Sequence, residues 1–220
     1  MVTLKAFDDI HGGDRYRLGV PARVYLLGGS SSVGKTTAAA AIAERLGAVH
    51  LQVDNIARTA TDPRVRRFQA GVDDLWSLPA AHLCDLLVHK GEALAAPLHA
   101  LIGQCLAGHS TTLVEGEGVH PSLARHHPGD VVRFAFVLEP EEAVLFQTLA
   151  GRSPRFRALP QAHQHTVAAT NWLYGCWLRE QAEAFGQPWV ESRPWATLPD
   201  RLIQAWQRPI AEPGPVAVST

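Results

Sequence analysis

The residues with the clearest chemistry form one octet, Gly29-Ser30-Ser31-Ser32-Val33-Gly34-Lys35-Thr36. Gly29 and Gly34 allow backbone angles and close approaches that a side chain would block. Successive N–H groups of such a loop point into one concavity and hold phosphate oxygens. The helix opening behind it adds the positive end of its dipole. Lys35 brings a point charge to the outer phosphates, and the Thr36 hydroxyl, with Thr37 beside it, is placed for phosphate-bound Mg2+. The pattern predicts a nucleoside triphosphate, ATP or GTP, together with magnesium.

Carboxylates follow two apolar runs. Asp54 comes directly after Ala48–Val53. It can take the proton of a hydroxyl attacking the terminal phosphate, hold the acceptor, or hold a magnesium-bound water. It can equally cap a helix starting at Asn55. Glu115 follows Ser110–Val114 and is assigned with Thr36 to the metal shell; Glu117 is assigned to the substrate side. The alternative for both glutamates is a pair of exposed loop acids.

Basic residues gather twice. Arg152, Arg155 and Arg157 surround Pro154 after Gly151, the composition of a hinged lid that brings charge onto a transferring phosphoryl group. A solvated turn at a helix C-terminus is the other reading. Arg58, Arg64, Arg66 and Arg67 follow Asp54 and could clamp an anionic acceptor, or simply face solvent. His120 is a candidate substrate contact. His126-His127 and His163-x-His165 lack the helical spacing and the nearby cysteines of a transition-metal site. Of the tryptophans, Trp195 in Arg193-Pro194-Trp195 stands out, because its loop follows a predicted strand; the others read as core.

The elements that must position these residues alternate. Strands are predicted at 23–27, 48–53, 110–114, 131–138 and 188–191. Helices are predicted at 35–46, over much of 79–107, at 140–149, over most of 162–185 and at 197–207. Gly47 stands where a left-handed C-terminal cap belongs. Pro63 breaks the segment after Asp54 into short helical pieces, and Gly91 with Pro97 predicts a kink or break in the long helix. The alternation predicts an α/β fold, a five-stranded parallel sheet with helices on both faces and a small helical lid. Ligands of such sheets lie beyond the carboxyl ends of the strands. One domain is expected over 23–208, with a lid near 150–170. Residues 1–22 read as a peripheral segment and the proline-rich 209–220 as a disordered tail.

Composition sets the remaining bounds. The chain has 220 residues, a formal net charge of -1 and 46% hydrophobic residues. That balance predicts neither a nucleic-acid nor a membrane partner. Cys84, Cys105 and Cys176 are too scattered for a disulfide framework. No leader and no apolar run near membrane-spanning length is seen, so a cytoplasmic monomer or homodimer is expected.

In order, the chain presents Gly-Gly-Ser-Ser-Ser-Val-Gly-Lys-Thr-Thr, a strand ending at Asp54, then Leu-Val-Glu-Gly-Glu-Gly-Val-His-Pro, a basic lid and a late Glu-Ser-Arg-Pro-Trp loop. This series resembles the small-molecule kinases of the phosphate-loop superfamily. It looks most like 2-phosphoglycerate kinase and its bacterial relatives through Glu117–Pro121, and like chloramphenicol phosphotransferase through its Gly-Gly-Ser-Ser start. The resemblance implies Asp54 at the acceptor, Arg152 and Arg155 in the lid, and Arg193 to Trp195 against adenine. It implies an ATP-dependent phosphotransferase acting on a small-molecule hydroxyl, with a sugar acid or phosphoglycerate-like acceptor among the options. A nucleoside or nucleotide kinase with Phe68 or Trp76 stacking a base is the first alternative. A nucleotide-dependent switch is the second, and the sequence lacks the N-K-x-D guanine signature of GTPases.

Overall fold

The computed structural model describes residues 23–68, 73–108, 110–127 and 129–208. The expected peripheral segment 1–22 and tail 209–220 lie outside them. Strands Val24–Gly29 (β1), Val49–Gln52 (β2), Thr112–Glu115 (β3), Val132–Leu138 (β4) and Trp189–Glu191 (β5) form one parallel sheet. Their spatial order is β2-β3-β1-β4-β5. The central strand β1 is therefore flanked by β3 and β4, and the order reverses beside it, which opens a crevice at its carboxyl end.

Strand side chains alternate between two cores. Val24, Leu26, Val114, Phe134 and Phe136 face one side; Tyr25, Leu27, Leu113, Ala135 and Val137 face the other. Burial on both faces explains why these strands read as unbroken apolar runs. Helix Ala80–Ala107 (α4) and the later turns of Gln161–Ala184 (α7) cover the first side through Leu94, Leu98, Ile102, Tyr174 and Leu178. Helices Lys35–Leu46 (α1), Glu142–Arg152 (α5) and Leu198–Gln207 (α8) cover the second through Ile42, Leu145, Leu202 and Trp206. Short helices Val53–Thr59 (α2) and Pro63–Arg66 (α3) follow β2, and Pro154–Arg157 (α6) joins α5 to α7. A single 3-10 turn, Pro121–His126, carries the chain from β3 towards β4.

Two of the differences from expectation bear on the site. β1 runs on through Gly28 and Gly29, whose backbones pair with Phe136 and Val137. The long helix α4 is continuous across Gly91 and Pro97. A proline inside a helix costs about 3 kcal/mol. Leu94, Leu98 and Ile102, all fully buried around Pro97, each return about 1.5–3 kcal/mol of burial, so packing holds the helix together. Gly47 closes α1 as expected, in the left-handed region, its N–H donating to the carbonyls of Ala43 and Glu44.

Candidate active site

The loop between β1 and α1 has the backbone its residue types require. Gly29 sits at φ 148 and Gly34 at φ 91, and a Cβ on Gly29 would strike the Val137 carbonyl. Ser32 holds φ 64, a left-handed angle that a non-glycine residue keeps only where its surroundings over-determine it. The buried Ser30 and Val33 anchor the loop from below. The Ser31 N–H donates to Asn171 Oδ1 on α7 at 3.1 Å, and Asn171 is itself fixed by donating to the Val167 carbonyl at 2.9 Å. The Lys35 ammonium donates to the Ser30 carbonyl at 2.6 Å. Burial pulls that ammonium below the ordinary lysine value, against the opposing charges of Glu117, Glu115 and Asp54.

Eleven residues from five segments of the chain line one cavity of about 220 Å³: Ser31, Ser32, Gly34, Lys35, Thr36, Thr37, Asp54, Glu115, Gly116, Glu117 and Arg152. The sheet explains their meeting. Glu115 is the last residue of β3 and lies in register with Leu27 of β1 and Gln52 of β2, so the loop, Asp54 and the two glutamates leave the sheet at one edge. Asp54 lies in the first turn of α2, whose N-cap is Gln52. The capping reading of Asp54 is thus corrected: its carboxylate is exposed and closes no helix end.

The Thr36 hydroxyl donates to Glu115 Oε1 at 2.9 Å. The same oxygen lies 3.8 Å from His50 Nε2, a buried nitrogen with no hydrogen-bond partner among the described residues. A hydroxyl and a carboxylate, both hard oxygen donors, fit Mg2+, which takes one or two protein ligands when phosphates and water supply the rest. Among the described residues no three His, Cys, Asp or Glu side chains are grouped to hold a metal by themselves.

Lys90, on α4, was not expected here. Its ammonium donates to Glu117 Oε2 at 2.9 Å and stands 5.3 Å from the centre of the Phe68 ring. Burial would lower the Lys90 ammonium, but the charge and hydrogen bond of Glu117, with Asp54 beyond, raise it. Burial would likewise raise the Glu117 carboxyl, and Lys90, Lys35 and His120 hold it below its ordinary value. Both groups are charged at neutral pH.

His120 does not line the cavity; it stands behind Glu117. Tyr174 donates its hydroxyl hydrogen to the Glu117 carbonyl at 2.5 Å, and His120 Nε2 lies 2.8 Å from the same hydroxyl oxygen. A phenol has one hydrogen, so His120 must donate from Nε2 and leave Nδ1 bare. Burial pushes this imidazole down to about 4, which keeps it neutral. Gly91 of α4 makes room for the ring, since a Cβ there would fall inside the imidazole.

The loop after β5 reaches the phosphate loop from the other side. Trp195 is 42% exposed, and a Cβ placed on Gly34 would lie 3.4 Å from its indole nitrogen. Arg193 stacks 4.4 Å above the Trp195 ring and donates to the Thr148 hydroxyl at 2.8 Å. Ser192 donates to Glu139 Oε2 at 2.5 Å. Arg193 thus braces the loop, with Pro194 between it and the exposed indole.

Two expected arginines stand apart from the cavity. Arg58 is exposed and donates to Asn55 Oδ1 at 3.3 Å. Arg155 is exposed on α6. Arg157 donates to the Ala150 carbonyl at 2.8 Å, and so does what a cation at a helix C-terminus does. Of the basic turn, Arg152 alone lines the cavity among the described residues.

No protein-family model matches this sequence, and no curated protein matches it. Solved structures do. A gluconokinase from Sinorhizobium meliloti 1021 superposes over 86% of this chain and 93% of its own, with TM-score 0.52 and 20% identity. The fold is the one this gluconokinase has. A sugar kinase from Janibacter sp. HTCC2649 agrees, over 87% of this chain and 96% of its own, with TM-score 0.50 and 18% identity. At such identities the P-loop fold is what is shared, and the reaction has to be argued from the cavity. Among the described residues no helix is long and apolar enough to cross a membrane.

Proposed function

We propose that this P-loop protein transfers the γ-phosphoryl group of ATP to a hydroxyl of a small molecule. One observation carries the reading. The phosphate loop opens into the same cavity as an exposed carboxylate, Asp54, a half-buried acid, Glu117, and an arginine, Arg152. A nucleotide switch needs the loop, whereas transfer also needs a place for the acceptor beside it.

The acceptor oxygen attacks the γ-phosphorus while the bond from that phosphorus to the β–γ bridging oxygen breaks, and ADP leaves. Asp54 takes the acceptor proton; no described residue hydrogen-bonds its carboxylate, which leaves both oxygens free to do so. Lys35 and the loop amides hold the phosphates, and Arg152 meets the charge spreading over the transferred group. Segment 150–170 acts as the lid, and its closure brings Arg155 towards the same charge. Trp195 offers the adenine a flat face beside Gly34. Thr36 and Glu115 would hold magnesium, which would offset the negative charge of the phosphates. The protein's work is positioning and neutralisation, since phosphoryl transfer asks for little covalent help.

The test is a phosphorylation screen of a metabolite pool, nucleosides included, with labelled ATP and the purified chain. A labelled small molecule formed by wild type, and reduced at least about a hundredfold by Asp54→Asn, supports the proposal, in keeping with the scale of general-base catalysis. ATP binding with background hydrolysis and no labelled acceptor would favour the switch. Unchanged turnover in Asp54→Asn would remove that residue from the mechanism.

A further inference from the structure

Glu117 lines the cavity, and Lys90 of α4 pairs with it from beside the lining. Glu117 and Lys90 meet at 2.9 Å, with 19% and 13% of their side chains exposed. The pair is held from several sides. Tyr174 grips the Glu117 carbonyl, His120 grips Tyr174, and Gly91, next to Lys90, packs against the His120 ring. Phe68 stands against the ammonium. The backbone beneath each charge is thus fixed, and the two charged ends hold each other.

A pair so fixed has no net charge, yet it keeps unused lone pairs on the carboxylate and unused N–H bonds on the ammonium. Adjacent hydroxyls match that pattern: one donates to Glu117 and its neighbour accepts from Lys90. An anionic group would have to draw Lys90 off Glu117, which strands a largely buried carboxylate, and it would also face Asp54. Two of the arginines that could have clamped an anion are engaged elsewhere, and Arg66 and Arg67 are exposed and do not line the cavity. Arg58 is held by Asn55, and Arg64 lies 2.8 Å from Asp62.

Resting on the phosphotransfer reading, we infer that the acceptor is an uncharged polyol. Neighbouring hydroxyls are read by the Glu117–Lys90 pair, and a hydroxyl beside Asp54 receives the phosphoryl group. A sugar acid or a phosphoglycerate, the acceptors the sequence left open, would be the poorer partner.

The experiment measures acceptor-dependent ADP release by the full chain with magnesium and ATP, over matched sets of one carbon skeleton each. One set is glucose, gluconate and glucose 6-phosphate; another is glycerol, glycerate and glycerol 3-phosphate; pentitols and hexitols extend the neutral series. ATP affinity is titrated in parallel. The neutral member of the productive set should exceed its anionic partners in kcat/KM by at least about tenfold. Glu117→Gln frees Lys90 and should shift that preference towards the anion by about tenfold or more, both acceptors being compared at saturating ATP. The wild-type comparison stands by itself if the variant fails to fold. ATP binding with an anionic acceptor preferred, or with no neutral polyol phosphorylated, overturns the inference and spares the phosphotransfer reading in the first case. Absence of ATP binding overturns both.

Discussion

Replacing Gly91 by alanine sets two rules of protein stability against each other. Helix propensity alone predicts a gain, since alanine is better than glycine inside a helix by about 1 kcal/mol. The packing here predicts a loss. The new methyl would lie 2.6 Å from His120 Cδ2 and nearer still to Nε2 and Cε1. The ring is 3% exposed and is boxed in by Tyr174 and by Trp177, whose ring centre is 4.8 Å away. It can yield only by leaving its place. Overpacking of this kind costs about 1–3 kcal/mol. Breaking the His120–Tyr174 hydrogen bond strands buried polar groups at about a further 1–3 kcal/mol. The expected net destabilisation is about 3 kcal/mol, or a Tm lower by roughly 6–12 °C for a chain of this size. Urea unfolding of Gly91→Ala gives the free energy, and thermal melting gives the Tm. In the double variant Gly91→Ala, His120→Ala the clash has no partner, so the two losses should add to less than their separate values by more than about 1 kcal/mol. A Gly91→Ala protein as stable as wild type, or more so, would refute the contact between α4 and His120. With it would go the account of how Glu117 is held.

Other perturbations test the rest. His120 titrates at about 4 when folded and at about 6.5 when unfolded. Its contribution to stability is therefore full above about pH 6.5 and lost as pH falls towards 4, at about 1.4 kcal/mol per pH unit and about 3 kcal/mol in all. Urea midpoints from pH 7 to 4 should show this slope, and His120→Gln should flatten it. Trp195→Ala should raise the KM for ATP by about tenfold while leaving the acceptor KM unchanged, as expected when an aromatic face beside the base is removed; equal effects on both substrates would place the indole elsewhere. Glu115→Gln should raise the magnesium concentration needed for half-maximal activity at least about tenfold with little change in Tm, and an unaltered magnesium dependence would take Glu115 out of the metal shell.

The phosphate loop was legible because its chemistry lies within eight consecutive residues, each fixed in type by a backbone angle, a charge or a hydroxyl. Asp54, Glu115 and Glu117 were legible for a related reason: parallel strands bring their carboxyl ends to one edge, so an acid after a strand is near the loop wherever it falls in the chain. Lys90, Tyr174 and Asn171 were missed because their partners are remote in sequence. Lys90 and Glu117 are separated by 27 positions, Tyr174 and Glu117 by 57, and Asn171 and Ser31 by 140. All three sit on helices whose apolar periodicity reads as core. Lys90 did leave a trace, a cation beside a glycine on a largely buried helix, but Gly91 was read as a breaker when its smallness serves His120. The arginine clusters were weaker guides, with Arg152 alone of them lining the cavity among the described residues, for the opposite reason. A cation is equally at home on a helix end, in an ion pair or over an aromatic ring, and Arg157, Arg64 and Arg193 take those three places.

The central claim is that the loop from Gly29 to Thr36 holds a triphosphate, with the Lys35 ammonium counted among its contacts. Isothermal titration of ATP with magnesium into wild type and Lys35→Met measures this directly. Saturable binding at one site per chain, weakened by about 10–100-fold in the variant as befits loss of a charged hydrogen bond, is the predicted result. Equal affinities for the two proteins, or no ATP binding by wild type, would contradict it.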